Sequence, residues 1–366
     1  MSDGTAVRGP LSGVRIIEIA GIGALPFAGM LLADMGAEIL RIDPPRAREL
    51  HMADDDPVMR GRAALALNLK DAADRERALD LIEHADVLLE ALRPGKMEAL
   101  GLGPDACLAR SPGLVYARST GWGQAGPLTA TAGHDPNYVG YTGALDWLGR
   151  TGNPPMPPFG LVGDTAGGSL YVVIGILAAL HHARTTGQGQ VVDASILDGT
   201  LSLMTGIYAA HRSGLMDVPH WQGMMVTGDC PYTGVYETAD GRHVSVCALE
   251  RPFYDQLLAG LGLDGSALPD RNDIASWPAL REKFAECFRS ADRDHWEAVF
   301  AASDACVSPI LSLEEAAGHP ANIARDAFID GLPAPAPRFS ATRTAPAPAS
   351  IATDELLARW QSSPTG

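Results

Sequence analysis

Short apolar runs separated by longer helical segments dominate the first half of the chain. Residues 14–19 and 39–42 are typical of strands that are buried on both faces of a parallel sheet. Between them, an apolar helical segment runs from Pro26 to Met35, and Gly36 is placed to end it. At least five strand candidates alternate with helices before residue 120, at 14–19, 39–43, 65–70, 87–90 and 114–118. This order predicts an α/β fold whose mainly parallel sheet is covered by helices on both faces.

The pattern changes in the second half of the chain. Residues 170–180 predict a buried apolar helix, and residues 191–194 predict a further strand. Two alternating segments around Ala239-Asp240-Gly241 then predict a β-hairpin, and charge-rich helices follow between residues 252 and 302. We therefore predict a large α/β domain at 1–200 that is completed by 316–366, a linker at 201–224, and a small α+β domain at 225–315.

Composition narrows the class of protein. The chain has 366 residues, of which 46% are apolar, enough for a substantial core. Its net charge of -16 argues against a nucleic-acid partner but leaves room for a small anionic ligand, because ten of the 28 cations lie between Arg41 and Lys96. The five cysteines form no Cys-x-x-Cys motif, so neither a zinc site nor a disulfide framework is expected.

The expected compartment is the cytoplasm. The first residues carry neither the basic start nor the apolar segment of a signal peptide. The apolar run at 170–180 is too short to span a bilayer, so no membrane partner is expected.

The first strand and its glycines resemble a dinucleotide-binding motif. Gly21-Ile22-Gly23 follows the strand, and Asp43 ends the next strand. The motif requires a third glycine where this chain has Pro26. We therefore favour an ordinary Rossmann-like α/β crossover, and a nicotinamide-dependent dehydrogenase is a remote alternative.

The stretch from 132 to 168 carries the candidate chemistry. His134 and Asp164 lie next to glycines at its two ends, and the glycine- and proline-rich segment 149–158 predicts a loop that could bring those ends together. An imidazole and a carboxylate facing one pocket could remove and return a proton at carbon. This is the leading hypothesis from the residues alone.

Each candidate residue also has a structural interpretation. His134 could be a hydrogen-bonded loop histidine, and Asp164 could cap the apolar helix that follows it. Asp135 could supply a carboxylate or only a backbone N–H. Glu250 could begin a helix or pair with an arginine.

A series of short motifs recurs in order over nearly the whole chain. They are Gly13-Val14-Arg15 through Asp43, Arg93-Pro94-Gly95, Tyr116-Ala117-Arg118, Gly121-Trp122-Gly123-Gln124, Ala132-Gly133-His134-Asp135, Val162-Gly163-Asp164, Gly187 through Asp193, Ala239 through Arg242, Phe253-Tyr254 and Ser303 through Val307. Together they resemble the family III coenzyme A transferases (CaiB/BaiF type) and, within them, the α-methylacyl-CoA racemases. The Gly-His-Asp motif is what marks the racemase branch.

The resemblance implies a fold and a mechanism. The fold would be an interlocked homodimer. His134 and Asp164 would flank the α-carbon of a 2-methylacyl-CoA, exchanging its proton through an enolate that the backbone N–H of Asp135 stabilises. Glu250 of the second subunit would hydrogen-bond the histidine. No metal or redox cofactor is implied, and coenzyme A enters as part of the substrate. In the transferase branch, the aspartate would instead be a nucleophile that accepts the acyl group.

The resemblance also assigns coenzyme A contacts. They would be Leu67, Asn68, Leu69, Lys70, Arg93, Gly133, Pro136, Asn137 and Tyr138, in the large domain. Three positions depart from the family: Pro44 and Ala99 stand where arginines are common, and Gly160 stands where an asparagine is typical. Arg46 is the expected substitute for the first missing arginine, with Arg48 as the alternative. These departures leave open a catalytically silent acyl-CoA-binding protein.

Overall fold

The computed structural model describes residues 9–45, 56–149, 154–217, 223 and 228–362. Over these residues the chain divides into two units. The first is drawn from Met1–Leu145, Pro157–Met204 and Pro333–Gly366, and the second from Asp146–Met156 and Thr205–Leu332. Residues 316–332, which are predicted to complete the large domain, group instead with the second unit.

The described strands and helices follow one another along the chain. The strands are β1 Arg15–Ile19, β2 Glu38–Asp43, β3 Arg62–Ala66, β4 Val87–Glu90, β5 Val115–Thr120, β6 Gln190–Ser195, β7 Thr233–Glu237, β8 His243–Cys247, β9 Val307–Pro309, β10 Phe328–Ile329 and β11 Leu332–Pro333. The helices are α1 Ala24–Asp34, α2 Ala72–Glu83, α3 Lys96–Ala99, α4 Pro104–Arg110, α5 Asp135–Gly140, α6 Ala144–Leu148, a π-helix at Leu161–Ser169, α7 Leu170–Thr186, α8 Ile196–Leu203, α9 Thr205–Arg212, α10 Arg251–Gly260, α11 Trp277–Phe288, α12 Arg293–Phe300, α13 Leu313–Gly318, α14 Pro320–Ala324 and α15 Thr353–Ser362. Short 3-10 turns lie at Pro57–Met59, Leu215–Asp217, Gly265–Ala267 and Ile274–Ser276.

The first unit is built on a six-stranded sheet with the order β3-β2-β1-β4-β5-β6. Each neighbouring pair is parallel, which confirms the predicted α/β fold. The order reverses between β1 and β4, two strands that pair directly although two others separate them in sequence. Ligands of such sheets bind beyond the carboxyl ends of the strands at this switch point.

Both faces of the sheet are covered. Neighbouring residues of one strand point to opposite faces, so Ile16 packs with Leu25 and Ile176 on the side of α1 and α7. Ile17 packs on the other side with Leu79 of α2 and with α15. The near-continuous apolar runs of the strands therefore reflect burial on two sides, as predicted.

One strand lies earlier than predicted. The sequence pattern favoured residues 65–70, whereas β3 begins at Arg62 and ends at Ala66. Arg62 is a buried strand residue because its guanidinium bonds the Glu18 carboxylate at 2.9 Å. Arg62 is charged, and the partner that allows its burial lies 44 positions away in the sequence. The apolar pattern of its own segment therefore does not indicate that it is buried.

The apolar helix is longer than the predicted segment at 170–180. The π-helix at Leu161–Ser169 continues directly into α7, giving an unbroken helix of 26 residues. An 18-residue stretch of it has a mean hydropathy of 1.6, so the helix is long and apolar enough to cross a bilayer. Its inward residues, including Val172, Ile176 and Ala179, are buried in the core against the sheet. The prediction that this element is too short for a membrane span considered only residues 170–180 and was wrong about its length, but the buried face is that of a core helix.

The second unit contains the predicted hairpin. β7 and β8 pair antiparallel, and β9, which the pattern did not predict, pairs with β8. The core of this unit is aromatic, with Tyr232, Trp277, Phe284 and Phe288 all buried.

Candidate active site

A cavity of about 410 Å³ opens at the switch point of the sheet. Segments that follow three strands contribute to its wall: Ile22–Ala24 after β1, Ala91–Pro94 after β4, and Gly121–Gly123 after β5. Residues 131–134, Tyr138, Asp164 and Ile196 also line the wall. The cavity therefore lies where the topology of a parallel sheet places ligands.

The structure brings His134 and Asp164 to this one cavity. His134 is the N-cap residue of α5, and its backbone N–H donates to Asn137 Oδ1 at 3.0 Å. The Asp164 side chain is half-buried, and burial raises the pKa of its carboxyl. The charge of Asp135 raises that pKa further, while His134 lowers it. An imidazole and a carboxyl with a raised pKa thus lie within electrostatic reach of each other.

Asp164 is not a helix cap, so that structural alternative is wrong. Its helix begins at Leu161, with Gly160 as the N-cap residue. The first turns are π-helical: the N–H of Thr165 donates to the carbonyl of Gly160 at 2.9 Å. In an α-helix the Asp164 amide would make that bond. Short π-helical segments occur frequently at functional sites.

Gly160 has a backbone reason to depart from the family pattern. Its φ is +80°, in the left-handed region. Glycine adopts this region without cost, and asparagine is among the other residues that enter it most often. The substitution of glycine for the asparagine expected from the family therefore suits the same conformation.

Asp135 lies directly behind Asp164. Its side chain is buried, and its Oδ2 accepts a hydrogen bond from the Asp164 backbone N–H at 2.8 Å. A side chain at Gly163 would overlap this carboxylate, so glycine is required there. The carboxylate of Asp135 is therefore a structural neighbour of the catalytic candidate, in addition to any role of its backbone N–H.

Aromatic residues form one wall of the cavity. The rings of Tyr138 and Trp122 pack edge to face, with their centroids 4.7 Å apart. The Tyr138 hydroxyl donates to the carbonyl of Gly133. The Trp122 ring N–H donates to the carbonyl of Thr131 at 3.1 Å. Sequence reasoning did not select Trp122 as a site residue, although its position just after β5 was the signal that could have found it. These contacts tie the loop before α5 to the end of the sheet.

The remaining predicted contacts divide into two groups. Arg93, Gly133 and Tyr138 line the cavity. Pro136 and Asn137 lie in the first turn of α5, and Asn137 holds the His134 amide instead of lining the wall.

Residues 67–70 lie in the turn after β3 and do not line the cavity. Leu67 is buried in the core, and Asn68, Leu69 and Lys70 follow it. Arg46 lies outside the described residues.

Glu250 belongs to the second unit. It is the N-cap residue of α10, which confirms that it begins a helix. Its pairing with His134 of another subunit stays a prediction.

Comparison with solved structures agrees with this architecture. A CaiB/BaiF family protein from Brucella suis superposes with a TM-score of 0.80 over 96% of this chain and 98% of its own, at 24% identity. That likeness shows the fold. A model of the family described as CoA-transferase family III matches residues 11–365. The chain belongs to CoA-transferase family III.

Within CoA-transferase family III, the chain resembles racemases. An alpha-methylacyl-CoA racemase of Mus musculus is 40% identical over 92% of this chain and 88% of its own length. The Homo sapiens protein of the same name is 38% identical over the same shares. An acetyl-CoA:oxalate CoA-transferase of Acetobacter aceti is 29% identical over 88% of this chain and 86% of its own. The protein is therefore an enzyme, and its class is that of these racemases, the isomerases.

Proposed function

We propose that the protein interconverts the (2R) and (2S) epimers of 2-methylacyl-CoA thioesters by two-base transfer of the α-proton. The observation that carries this proposal is the meeting of His134 and Asp164 at one cavity. The identity of about 40% to named racemases supports it from a separate direction. The substrate would be an acyl-CoA, with Arg93 and Tyr138 of the cavity wall among its contacts.

The chemistry follows from the acidity of a thioester α-carbon. One group removes the proton, and the other returns a proton on the opposite face of the planar enolate. For one epimer neutral His134 would be the base and Asp164 the acid, and for the other epimer the roles reverse. The raised pKa of Asp164 suits the acid role, because the group keeps its proton at a higher pH than an ordinary aspartate.

The enolate requires hydrogen-bond donors. The backbone N–H of Asp135, in the first turn of α5, belongs to the helix amides that have no partner within the helix. Preorganised donors of this kind stabilise charge that develops in the transition state. In the homodimer proposed from the family resemblance, Glu250 of the partner subunit would orient His134.

Exchange in heavy water tests the mechanism directly. A single epimer of a 2-methylacyl-CoA should gain α-deuterium and yield the second epimer. His134→Asn and Asp164→Asn should each slow epimerisation by roughly 10²–10⁴-fold. Each variant should still exchange the one epimer whose α-proton faces the remaining base.

Three outcomes would count against the proposal. Wild-type enzyme that binds the thioester but incorporates no deuterium would indicate an acyl-CoA-binding protein. Variants that exchange both epimers equally would rule out two bases on opposite faces. A covalent anhydride between Asp164 and the acyl group, with CoA passing to an added acceptor acid and the donor acid released, would indicate CoA transfer, which His134 disfavours.

A further inference from the structure

We propose that the buried side-chain carboxylate of Asp135 is a positioning residue that holds Asp164 at the cavity wall as the carboxylic acid of the proton-transfer pair. This role deepens the racemase function proposed above and rests on it. It belongs to the side chain, and is separate from the Asp135 backbone N–H that would face the enolate.

The contacts of Asp135 fix the backbone that carries Asp164. Asp135 is 1% exposed, and its Oδ2 accepts from the Asp164 N–H at 2.8 Å. The π-helical turn frees this N–H, because the Gly160 carbonyl is bonded by Thr165 instead. Gly163 leaves the space that the carboxylate fills. The hydrogen bond, the π-helical turn and the space at Gly163 together hold the Asp135 carboxylate against the backbone amide of Asp164.

The charge of Asp135 is not neutralised by its surroundings. Its Oδ1 is buried without a hydrogen-bond partner in the part of the chain that the structure describes. Within that same part, no arginine, lysine or histidine forms an ion pair with Asp135. A buried negative charge without a counter-charge acts strongly on a neighbouring carboxyl.

Other charged and titratable groups also face Asp164. From α5 and its cap these are His134, whose charge lowers the pKa of Asp164, and Tyr138, whose own pKa is raised by burial and by Asp164. Arg93, after β4, lowers the pKa of Tyr138 and lines the same cavity. Burial and Asp135 outweigh the effect of His134, so the pKa of the Asp164 carboxyl is raised.

The charge of Asp135 affects how many protons His134 and Asp164 carry together at a given pH. Epimerisation in either direction requires one proton on His134 and Asp164 together, so activity falls when a second proton is added at low pH or the last is removed at high pH. By disfavouring ionised Asp164, Asp135 moves the acid limb of this profile to higher pH. It also enlarges the share of enzyme with a neutral imidazole and a carboxylic acid, which is the form that begins one of the two directions.

The test is the pH profile of kcat/KM for Asp135→Asn. Asparagine keeps an oxygen that can accept from the Asp164 amide but removes the charge. The acid limb should move down by about one pH unit. Asp105→Asn makes the same change at an exposed position of α4 and should move neither limb. A folded Asp135→Asn enzyme with the wild-type acid limb would overturn the proposal.

A measurement without turnover separates this inference from the racemase function. In protein labelled with ¹³C at aspartate carboxyls, the Asp164 signal is the one absent from Asp164→Asn. It should titrate above the usual aspartate range in the wild type and lower in Asp135→Asn. An ordinary wild-type midpoint would overturn the inference even if Asp135→Asn failed to fold. A midpoint that is raised in the wild type and falls in Asp135→Asn, in a protein that does not racemise, would uphold the inference and reject the function.

Discussion

Two buried carboxylates of the first unit, Glu18 in β1 and Asp135 in α5, are accommodated in the same way. Neither is more than 1% exposed. Each lies against a glycine, Gly29 for Glu18 and Gly163 for Asp135, at which any side chain would overlap the carboxylate. The chain therefore makes room for both groups by leaving out a Cβ.

Their electrostatic surroundings are opposite. Both Glu18 oxygens accept from Arg62 Nε, at 2.9 and 3.0 Å, and Arg62 also donates to the Pro26 carbonyl at 2.8 Å. Burial raises the pKa of Glu18, and Arg62 opposes that shift. Asp135 instead lies beside a second carboxyl, Asp164. A carboxylate that is paired with an arginine can have a purely structural role. Two neighbouring carboxyl groups instead retain a proton that is available for transfer.

The largest expected effect on stability comes from breaking the ion pair between Glu18 and Arg62. Glu18→Gln or Arg62→Met leaves one buried charge alone, and each change should lower the free energy of unfolding by about 3–5 kcal/mol. The double variant should lose less than the sum of the singles, because it leaves no unpaired charge. Urea unfolding measures all three. Additive losses would show that the two side chains do not act as a pair.

The corresponding substitution beside Asp135 should not lower the free energy of unfolding. Asp164→Asn removes one of two neighbouring carboxyls, so at neutral pH the free energy of unfolding should be unchanged or higher by about 1 kcal/mol, despite the loss of activity. A loss as large as that of Glu18→Gln would contradict the comparison.

The pH dependence of this difference has a definite direction. The pKa of Asp164 is raised in the folded state, so the native protein binds this proton more tightly than the unfolded chain. The stability that this proton contributes is complete below the ordinary aspartate pKa and is lost as pH rises through the raised value. The free energy of unfolding of the wild type minus that of Asp164→Asn should therefore fall as the pH rises. Urea unfolding at a series of pH values measures this difference. A difference that rises with pH would mean that the folded-state pKa is lowered.

The smallest effect is expected at the surface. Arg359 of α15 bonds Glu38 at 2.9 Å, with side chains 49% and 28% exposed. Water screens such a pair, so Arg359→Gln should change the free energy of unfolding by at most about 1 kcal/mol. A change comparable to that at Arg62 would mean that exposure does not distinguish the two ion pairs.

Sequence patterns predicted most of the sheet because its strands are apolar on both faces. They missed the start of β3, since the burial of Arg62 depends on Glu18, and no periodicity encodes a distant charge partner. They selected His134 and Asp164 from residue type and neighbouring glycines. The position of the Asp135 carboxylate could not be predicted in this way, because it depends on the π-helical turn and on the absence of a Cβ at Gly163.

The widened turn at Leu161–Ser169 also suggests how this active site can change during evolution. A residue inserted into an α-helix either rotates everything on one side of it by about 100° or is absorbed locally as a π turn. Here the wider turn spans Leu161–Ser169, and the helix that follows it packs on the sheet. Deleting one residue could therefore turn the carboxyl of Asp164 away from the cavity while the hydrophobic core stays intact. A single codon would then separate an enzyme from an inactive relative with the same fold.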